Sequence, residues 1–306
     1  MTKKFEKILP NGFQEPTSLP KTEEERREWQ ERNQRFWQNN PMRYDWNASV
    51  APQEFSKEFY SEIDRRFFEN SKEYLPYKKE PFEQLIPLEA LGSKDVLEIG
   101  VGNGSHAQLL ATHAKTFTGI DITTYASEST KKRFALFGLR GNIEQMDAEK
   151  LSFSDKSFDF VWSWGVIHHS SHTRKILEEI HRVLRPGGET VIMVYHRGWW
   201  NYYCMGLLWQ LVRGKFPRPK DIHSAVQESS DGAIARYYAP RDWKNMTKDL
   251  FEILDIGIYG PKTDVIPLPS GKLKRMALAI IPNALGRFFS HYCRMGSFFV
   301  VKMKKR

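Results

Sequence analysis

Apolar positions along the chain change their spacing near residue 94. Upstream, Phe55, Phe59, Ile63 and Phe67 recur every four positions. On a helix such positions stack along one face, which predicts a helix over about 53–74 with that face buried. Before it, Thr22 and Glu25 have the spacing of a capping box. They predict a charged helix reaching about Gln38, stopped ahead of Pro41. Pro76, Pro81 and Pro87 punctuate a linker, and the first twenty residues, rich in Pro, Gly and Lys, are expected to be loose.

Downstream of Lys94, short apolar runs alternate with helical stretches. DVLEIG, TFTGID, NIEQM, FDFVWSW and ETVIMVY read as five strands. All but the third are nearly continuous apolar runs, as strands buried on both faces are. Helices are expected at about 106–114, 125–137 and 171–184. Alternating strand and helix implies an open parallel sheet with helices on both faces. FEILDIGIY and, after a long insertion, SFFVVKMK supply a sixth and a seventh strand.

The first strand runs into a glycine-rich turn, Glu98-Ile99-Gly100-Val101-Gly102-Asn103-Gly104. Glycines here let the backbone approach a ligand and permit positive φ. A dinucleotide fingerprint requires G-x-G-x-x-G. This chain has G-x-G-x-G, with Ser105 where the last glycine of that fingerprint would stand, so the turn suits a ligand without a pyrophosphate. Asp121 ends the second strand, where a carboxylate can accept ribose hydroxyls. Asp147 follows the third and could accept from an adenine amino group. A helix cap or a turn is the alternative reading of each acid taken alone.

In order and spacing, VLEIGVGNG, TGID, DAEKLSFSDKSFDFVWSWGVIHH and EIHRVLRPGGETVIM resemble the class I S-adenosylmethionine-dependent methyltransferases, over roughly residues 80–197. The resembled group includes ubiquinone-biosynthesis C-methyltransferases and many small-molecule methyltransferases. The resemblance implies a doubly wound, Rossmann-like α/β fold with a seven-stranded, mostly parallel sheet in the order 3-2-1-4-5-7-6, the last strand antiparallel. It implies S-adenosylmethionine as cofactor. Glu98 and the loop Gly100, Gly102, Asn103 and Gly104 would hold the methionine part, and Asp121 with Ile122 the ribose side. Asp147 and Ala148 would lie at the adenine and Trp164 near the sulfonium. The Arg185-Pro186-Gly187-Gly188 turn is implied to be structural. The corresponding division is a tail and helical cap over 1–80 and a methyltransferase domain over 81–306. Within the latter, 81–197 is the cofactor core, 198–240 a lid and 261–295 a basic amphipathic insertion.

Three histidines at strand ends are candidates for acceptor chemistry: His168 and His169 after the fourth strand, and His196 after the fifth. A neutral imidazole could take a proton from a hydroxyl or amine. Helix capping or pocket lining is the alternative, and positioning alone can supply much of the rate. No metal set accompanies them. The aromatic run 199–209 sits where a lid over an apolar acceptor would sit, or packs as core. Arg43 and Tyr44 could close the site from the N-terminal side. The stretch 272–295 mixes Lys and Arg with Leu, Ile and Phe, so it can lie on an anionic membrane or pack on the core.

Composition narrows the partners. The 306 residues carry a net charge of +9. Lys and Arg recur from Pro261 onward with Asp264 as the only acid. Two distant cysteines, Cys204 and Cys293, exclude a disulfide framework and suit a reducing, cytoplasmic setting. No uninterrupted apolar run of about 18 residues predicts a membrane span. A small-molecule or lipid-linked acceptor is the leading expectation. A nucleic-acid methyltransferase and a non-catalytic S-adenosylmethionine-binding protein are the alternatives. The former is disfavoured because no Asn-Pro-Pro-Tyr type tetrapeptide follows the fourth strand. An NAD-dependent oxidoreductase is disfavoured by the glycine spacing.

Overall fold

A computed structural model describes residues 9–306 except 11, 46–48, 215 and 269–270. Helix α1 (Glu23–Asn39) opens where Thr22 predicts it: its hydroxyl accepts from the Glu25 amide at 3.1 Å. The Glu25 carboxylate caps the Lys21 amide at 2.6 Å instead of Thr22's, so the box is shifted by one residue. Helix α2 (Lys57–Tyr74) begins four residues later than expected. Phe55 has φ +66°, which a right-handed helix does not allow, and Ser56 caps in its place. Phe59, Ile63 and Phe67 are buried as the spacing predicts.

The sheet follows: β1 (Asp95–Ile99), β2 (Thr116–Asp121), β3 (Asn142–Gln145), β4 (Phe158–Trp164), β5 (Leu184–His196), β6 (Tyr237–Tyr238), β7 (Phe251–Tyr259) and β8 (Phe298–Lys305). Its order is β3-β2-β1-β4-β5-β8-β7, with two-residue β6 beside β5. Apart from β6, this is the expected order. The last strand, β8, is antiparallel to both its neighbours. β5 starts five residues earlier than Glu189 because residues 185–188 loop out within it. Phe158 pairs with Leu184 while Phe160 pairs with Glu189, and Gly187 takes φ +76° in the bulge.

Helices α3 (Ser105–His113), α4 (Thr124–Phe137) and α5 (Thr173–Val183) are the crossovers. After β5 come α6 (Met205–Val212) and α7 (Ile222–Gln227), then α8 (Pro240–Thr247) before β7. The insertion between β7 and β8 holds α9 (Lys272–Ile280) and α10 (Asn283–Arg287). On one sheet face Val161, Ile192, Val194 and Val301 pack against Ile176, Leu177 and Ile180 of α5 and Trp243 of α8. On the other, Val96, Phe160, Trp162 and Met193 pack against α2, α3 and α4 through Phe67, Leu110 and Phe134. Each such side chain contributes roughly 1.5–3 kcal/mol of apolar burial. Both faces are covered, so the carboxyl ends of the strands remain as the place for a ligand.

The expected loose start is partly outside the described residues. The part that is described is docked. Phe13 is buried edge-on against Trp29 of α1 with ring centroids 5.6 Å apart, and the Pro16 carbonyl accepts from the Tyr237 amide at 3.2 Å. No described helix is long and apolar enough to cross a membrane.

Candidate functional site

At the end of β1 the chain turns through Gly100, Gly102 and Gly104, all at positive φ (+87°, +54° and +82°). A Cβ on Gly100 would lie 2.2 Å from Val166, so side chains are excluded by space as well as by backbone conformation. The loop is fastened from behind by α4. Arg133, fully buried, donates to the Asn103 carbonyl at 3.0 Å and to Gln108 at 2.8 Å, and pairs with Asp64. Thr130 donates to the Gly102 carbonyl at 3.1 Å, and Ser129 to the Asn103 side chain at 2.9 Å. Asn103 in turn donates to the Met42 carbonyl at 2.6 Å.

This loop borders a cavity of about 550 Å³, within the range of small-molecule sites. Glu98, Gly100, Gly102, Asn103, Asp121, Ile122, Asp147, Ala148 and Trp164 all line it. Gly104 does not; it sits at the start of α3, where a Cβ would lie 3.0 Å from Arg133. A larger groove, about 790 Å³, between α1 and β3 shares Gln30, Ile122, Met146 and Asp147 but includes no residue of the glycine loop. The smaller cavity is therefore the candidate site.

Its wall is acidic. Glu73, Glu98, Asp121, Asp147 and Asp231 line it, and among the described residues no Lys or Arg does. Burial pushes the Glu98 carboxyl well above its usual range, and the neighbouring Asp121 adds to that. Glu98 Oε2 is buried with no hydrogen-bond partner, as is Asn33 Oδ1 on α1. Such orphans are costly unless a ligand satisfies them. Asp121 is held in place: Oδ1 accepts from the Thr123 amide and hydroxyl, both at 2.9 Å, and Oδ2 from the Gly102 amide at 3.2 Å. Burial raises its pKa, and those bonds oppose the rise. Asp147 Oδ1 accepts from Gln30 Nε2 at 2.8 Å and from the Glu149 amide at 2.9 Å; burial raises it too.

The cover over this cavity is N-terminal. Gln30 spans from Asp147 to the Ser171 amide, 2.9 Å away, and Gln34 donates to the Ile122 carbonyl at 2.9 Å. Trp37, Met42 and Tyr44 line the cavity beside them, Tyr44 stacked on Phe67 of α2 at 4.9 Å. The 199–209 segment does not cover the site, contrary to expectation, and none of its residues lines the cavity. After β5 the backbone is bound sideways, His196 to Ser297 and Arg197 to Tyr238. The indoles of Trp199 and Trp200 then donate to the carbonyls of Cys293 and Asp264 in the distant insertion.

The three histidines separate. His169 lines the cavity; its Nδ1 lies 2.7 Å from the Ile234 carbonyl, which assigns the proton to Nδ1 and the lone pair to Nε2. His168 is fully buried behind it, with ring centroids 4.0 Å from His169 and 4.1 Å from Tyr195. Neither of its nitrogens has a partner, and burial holds its pKa well below the usual value. His196 is also outside the cavity wall. Side chains alternate along a strand, so Met193 and Tyr195 face the cavity while Val194 packs into the opposite core, and His196 shares Val194's side. Its Nδ1 is 2.9 Å from the Gly296 carbonyl, and burial lowers its pKa to about 4. His168 and His196 are thus removed as candidates for contact with a ligand. Tyr195 takes their place, and the alternation through ETVIMVY was the signal for it. Arg43 does not line the cavity either; it pairs with Glu54.

A deep acidic cavity without a cation, beside a glycine loop, favours a positively charged ligand over a pyrophosphate. Comparison with known proteins agrees with this. Residues 97–192 match the model of a family described as a methyltransferase domain. A phthiotriol/phenolphthiotriol dimycocerosates methyltransferase of Mycobacterium tuberculosis is 42% identical over 100 residues, 32% of this chain and 36% of that one. A fatty-acid O-methyltransferase of Mycolicibacterium smegmatis is 38% identical over 97 residues, covering 31% of this chain and 35% of its own. The matched stretch thus spans about a third of these relatives. An S-adenosylmethionine-dependent methyltransferase structure from Mesorhizobium loti shares the fold, with TM-score 0.50 at 18% identity over 73% of this chain and 95% of that one.

Proposed function

We propose that this chain, which matches a methyltransferase-domain family over residues 97–192, is a class I S-adenosylmethionine-dependent enzyme that methylates a small-molecule or lipid-linked acceptor in the cavity of about 550 Å³. The observation that carries the reading is the cavity's chemistry: five acids, no cation, and two orphaned buried oxygens, Glu98 Oε2 and Asn33 Oδ1. S-adenosylmethionine, when bound, supplies a methyl group on a sulfonium and leaves as S-adenosylhomocysteine.

The chain's own residues divide the work. Glu98, Asn103 and the turn through Gly100 and Gly102 would receive the amino-acid end, with Gly104 leading that turn into α3. Asp121, with Ile122 beside it, would accept from the ribose, and Asp147 and Ala148 would lie at the adenine, Gln30 holding Asp147. Trp164 packs near the sulfonium. The acceptor enters between His169, Tyr195, Met193 and Phe298, which line the far side. Where the acceptor is a hydroxyl or amine, His169 Nε2 takes its proton; where it is carbon or sulfur, positioning suffices. The N-terminal helices exclude water. The lipid-linked reading draws on the apolar content of this wall and on what the two mycobacterial relatives are named for. A nucleic-acid acceptor is disfavoured because α1 lies across the strand ends. Cys204 and Cys293 are both free, in keeping with a reducing, cytoplasmic setting.

Isothermal titration with S-adenosylhomocysteine and, separately, NAD tests the reading. Binding of the first at one site per chain is expected. Binding of NAD in its stead would overturn it.

A further inference from the structure

Helix α9 turns an apolar stripe to water. Leu273, Met276 and Ile280 fall at i, i+3 and i+7, on one face. Leu273 is 67% exposed and Ile280 80%. No residue of the helix is buried. Past α10, Tyr292 is also 82% exposed. The indole of Trp199, also exposed, reaches the same stretch through its bond to the Cys293 carbonyl. An exposed apolar stripe along one helix face marks an interaction site.

Its charge selects the partner. Lys272 flanks the stripe, Arg275 is exposed further round the same helix, and no acid follows Asp264 in the chain. A second copy of this chain docking on the same face would set cations against cations. An anionic lipid surface meets both the apolar and the cationic halves. The insertion that carries α9 is also bonded to the candidate site on both sides of that helix. The Lys262 amide donates to Glu73 Oε1 at 2.6 Å and Arg287 donates to the Glu73 carbonyl at 3.1 Å, while Glu73, Pro261 and Thr263 line the cavity.

We propose that α9 and the exposed aromatics beside it lie flat on an anionic phospholipid surface. The apolar stripe enters the headgroup boundary, the cations meet phosphates, and the Glu73 side of the cavity is held towards the bilayer. The benefit to a lipid-linked acceptor rests on the proposed function; the docking itself does not.

Flotation of the full chain with phosphatidylcholine vesicles, with and without phosphatidylglycerol, tests this. Titration with S-adenosylhomocysteine in the same preparation is measured alongside. Flotation is expected only with phosphatidylglycerol and is expected to weaken with salt. Lys272→Ala with Arg275→Ala should lower partitioning roughly 30-fold, taking about 1 kcal/mol per cation. Leu273→Ser with Ile280→Ser should lower it as well, and cofactor affinity should stay unchanged in both. Absence of flotation with phosphatidylglycerol at low salt, or equal flotation with neutral vesicles, would overturn the proposal. So would a dimer in solution that Leu273→Ser with Ile280→Ser disperses. Flotation without any S-adenosylhomocysteine binding would leave the docking face standing and overturn the methyl-transfer reading.

Discussion

Replacing Asp121 by alanine separates its two jobs. Three of the roughly four acceptor sites of its carboxylate are already engaged, by the Thr123 amide and hydroxyl and by the Gly102 amide. One site on Oδ2 remains for a ribose hydroxyl. A single hydrogen bond to a charged group contributes about 1.5–3 kcal/mol, so affinity for S-adenosylhomocysteine should fall roughly 10- to 100-fold. The variant also frees the Gly102 and Thr123 amides, which can turn to water at the cavity wall. We expect a further loss of about 1–2 kcal/mol of native stability. Titration calorimetry reads the first effect and urea unfolding the second. Asp121→Asn keeps an acceptor for Thr123 but turns an amide group either at the Gly102 N–H or at the ribose, so it should recover stability more than affinity. Unchanged affinity in a folded alanine variant would refute the assignment and leave Asp121 as a turn residue only.

Other substitutions probe the rest of the site. Gly100→Ala combines a strained φ with a Cβ 2.2 Å from Val166; a stability loss of at least about 1–2 kcal/mol is expected, and an unchanged urea midpoint would contradict it. With a hydroxyl or amine acceptor, His169→Ala should lower turnover by roughly 100- to 10,000-fold, whereas His196→Asn, away from the cavity, should leave turnover near wild type; equal effects would refute the separation of the histidines. Burial takes the folded-state pKa of His196 down to about 4, so between the usual value near 6.5 and 4 the unfolded chain binds more protons than the folded one. Stability should therefore fall as pH drops through that window, by about 2 kcal/mol from this residue at about pH 5. A wild-type urea midpoint no more acid-sensitive than that of His196→Asn would count against this.

The sheet was legible because it is buried on both faces. DVLEIG, TFTGID and FDFVWSW can only be inner strands, and the glycine spacing marked the ligand edge. The two-residue β6 left no apolar run to read, and the loop at residues 185–188 hid the early start of β5. That Glu98, Asp121 and Asp147 share one cavity was legible because each stands at or just after the end of a neighbouring strand in sequence. Of the cover only Tyr44 was named: Gln30, Asn33 and Trp37 lie more than sixty residues before Glu98 in the chain, and nothing local in a charged helix tells which residue meets the cavity. The aromatic density of 199–209 misled for a related reason. Aromatic content reports that a surface needs a partner, and here the partner is the insertion before β8. That the histidines at 168 and 196 lie outside the cavity wall was not legible, because strand ends fix a neighbourhood but only the alternation phase fixes a direction.

Incubating the purified chain with cell extract and S-adenosylmethionine labelled in its methyl group, then following the label by untargeted mass spectrometry, bears most directly on methyl transfer to a small or lipid-linked acceptor. The label should appear in a small-molecule or lipid species, and the Asp121→Ala variant should produce less of it. Label confined to RNA or DNA, or no transfer by a chain that binds S-adenosylhomocysteine, would contradict the proposed function.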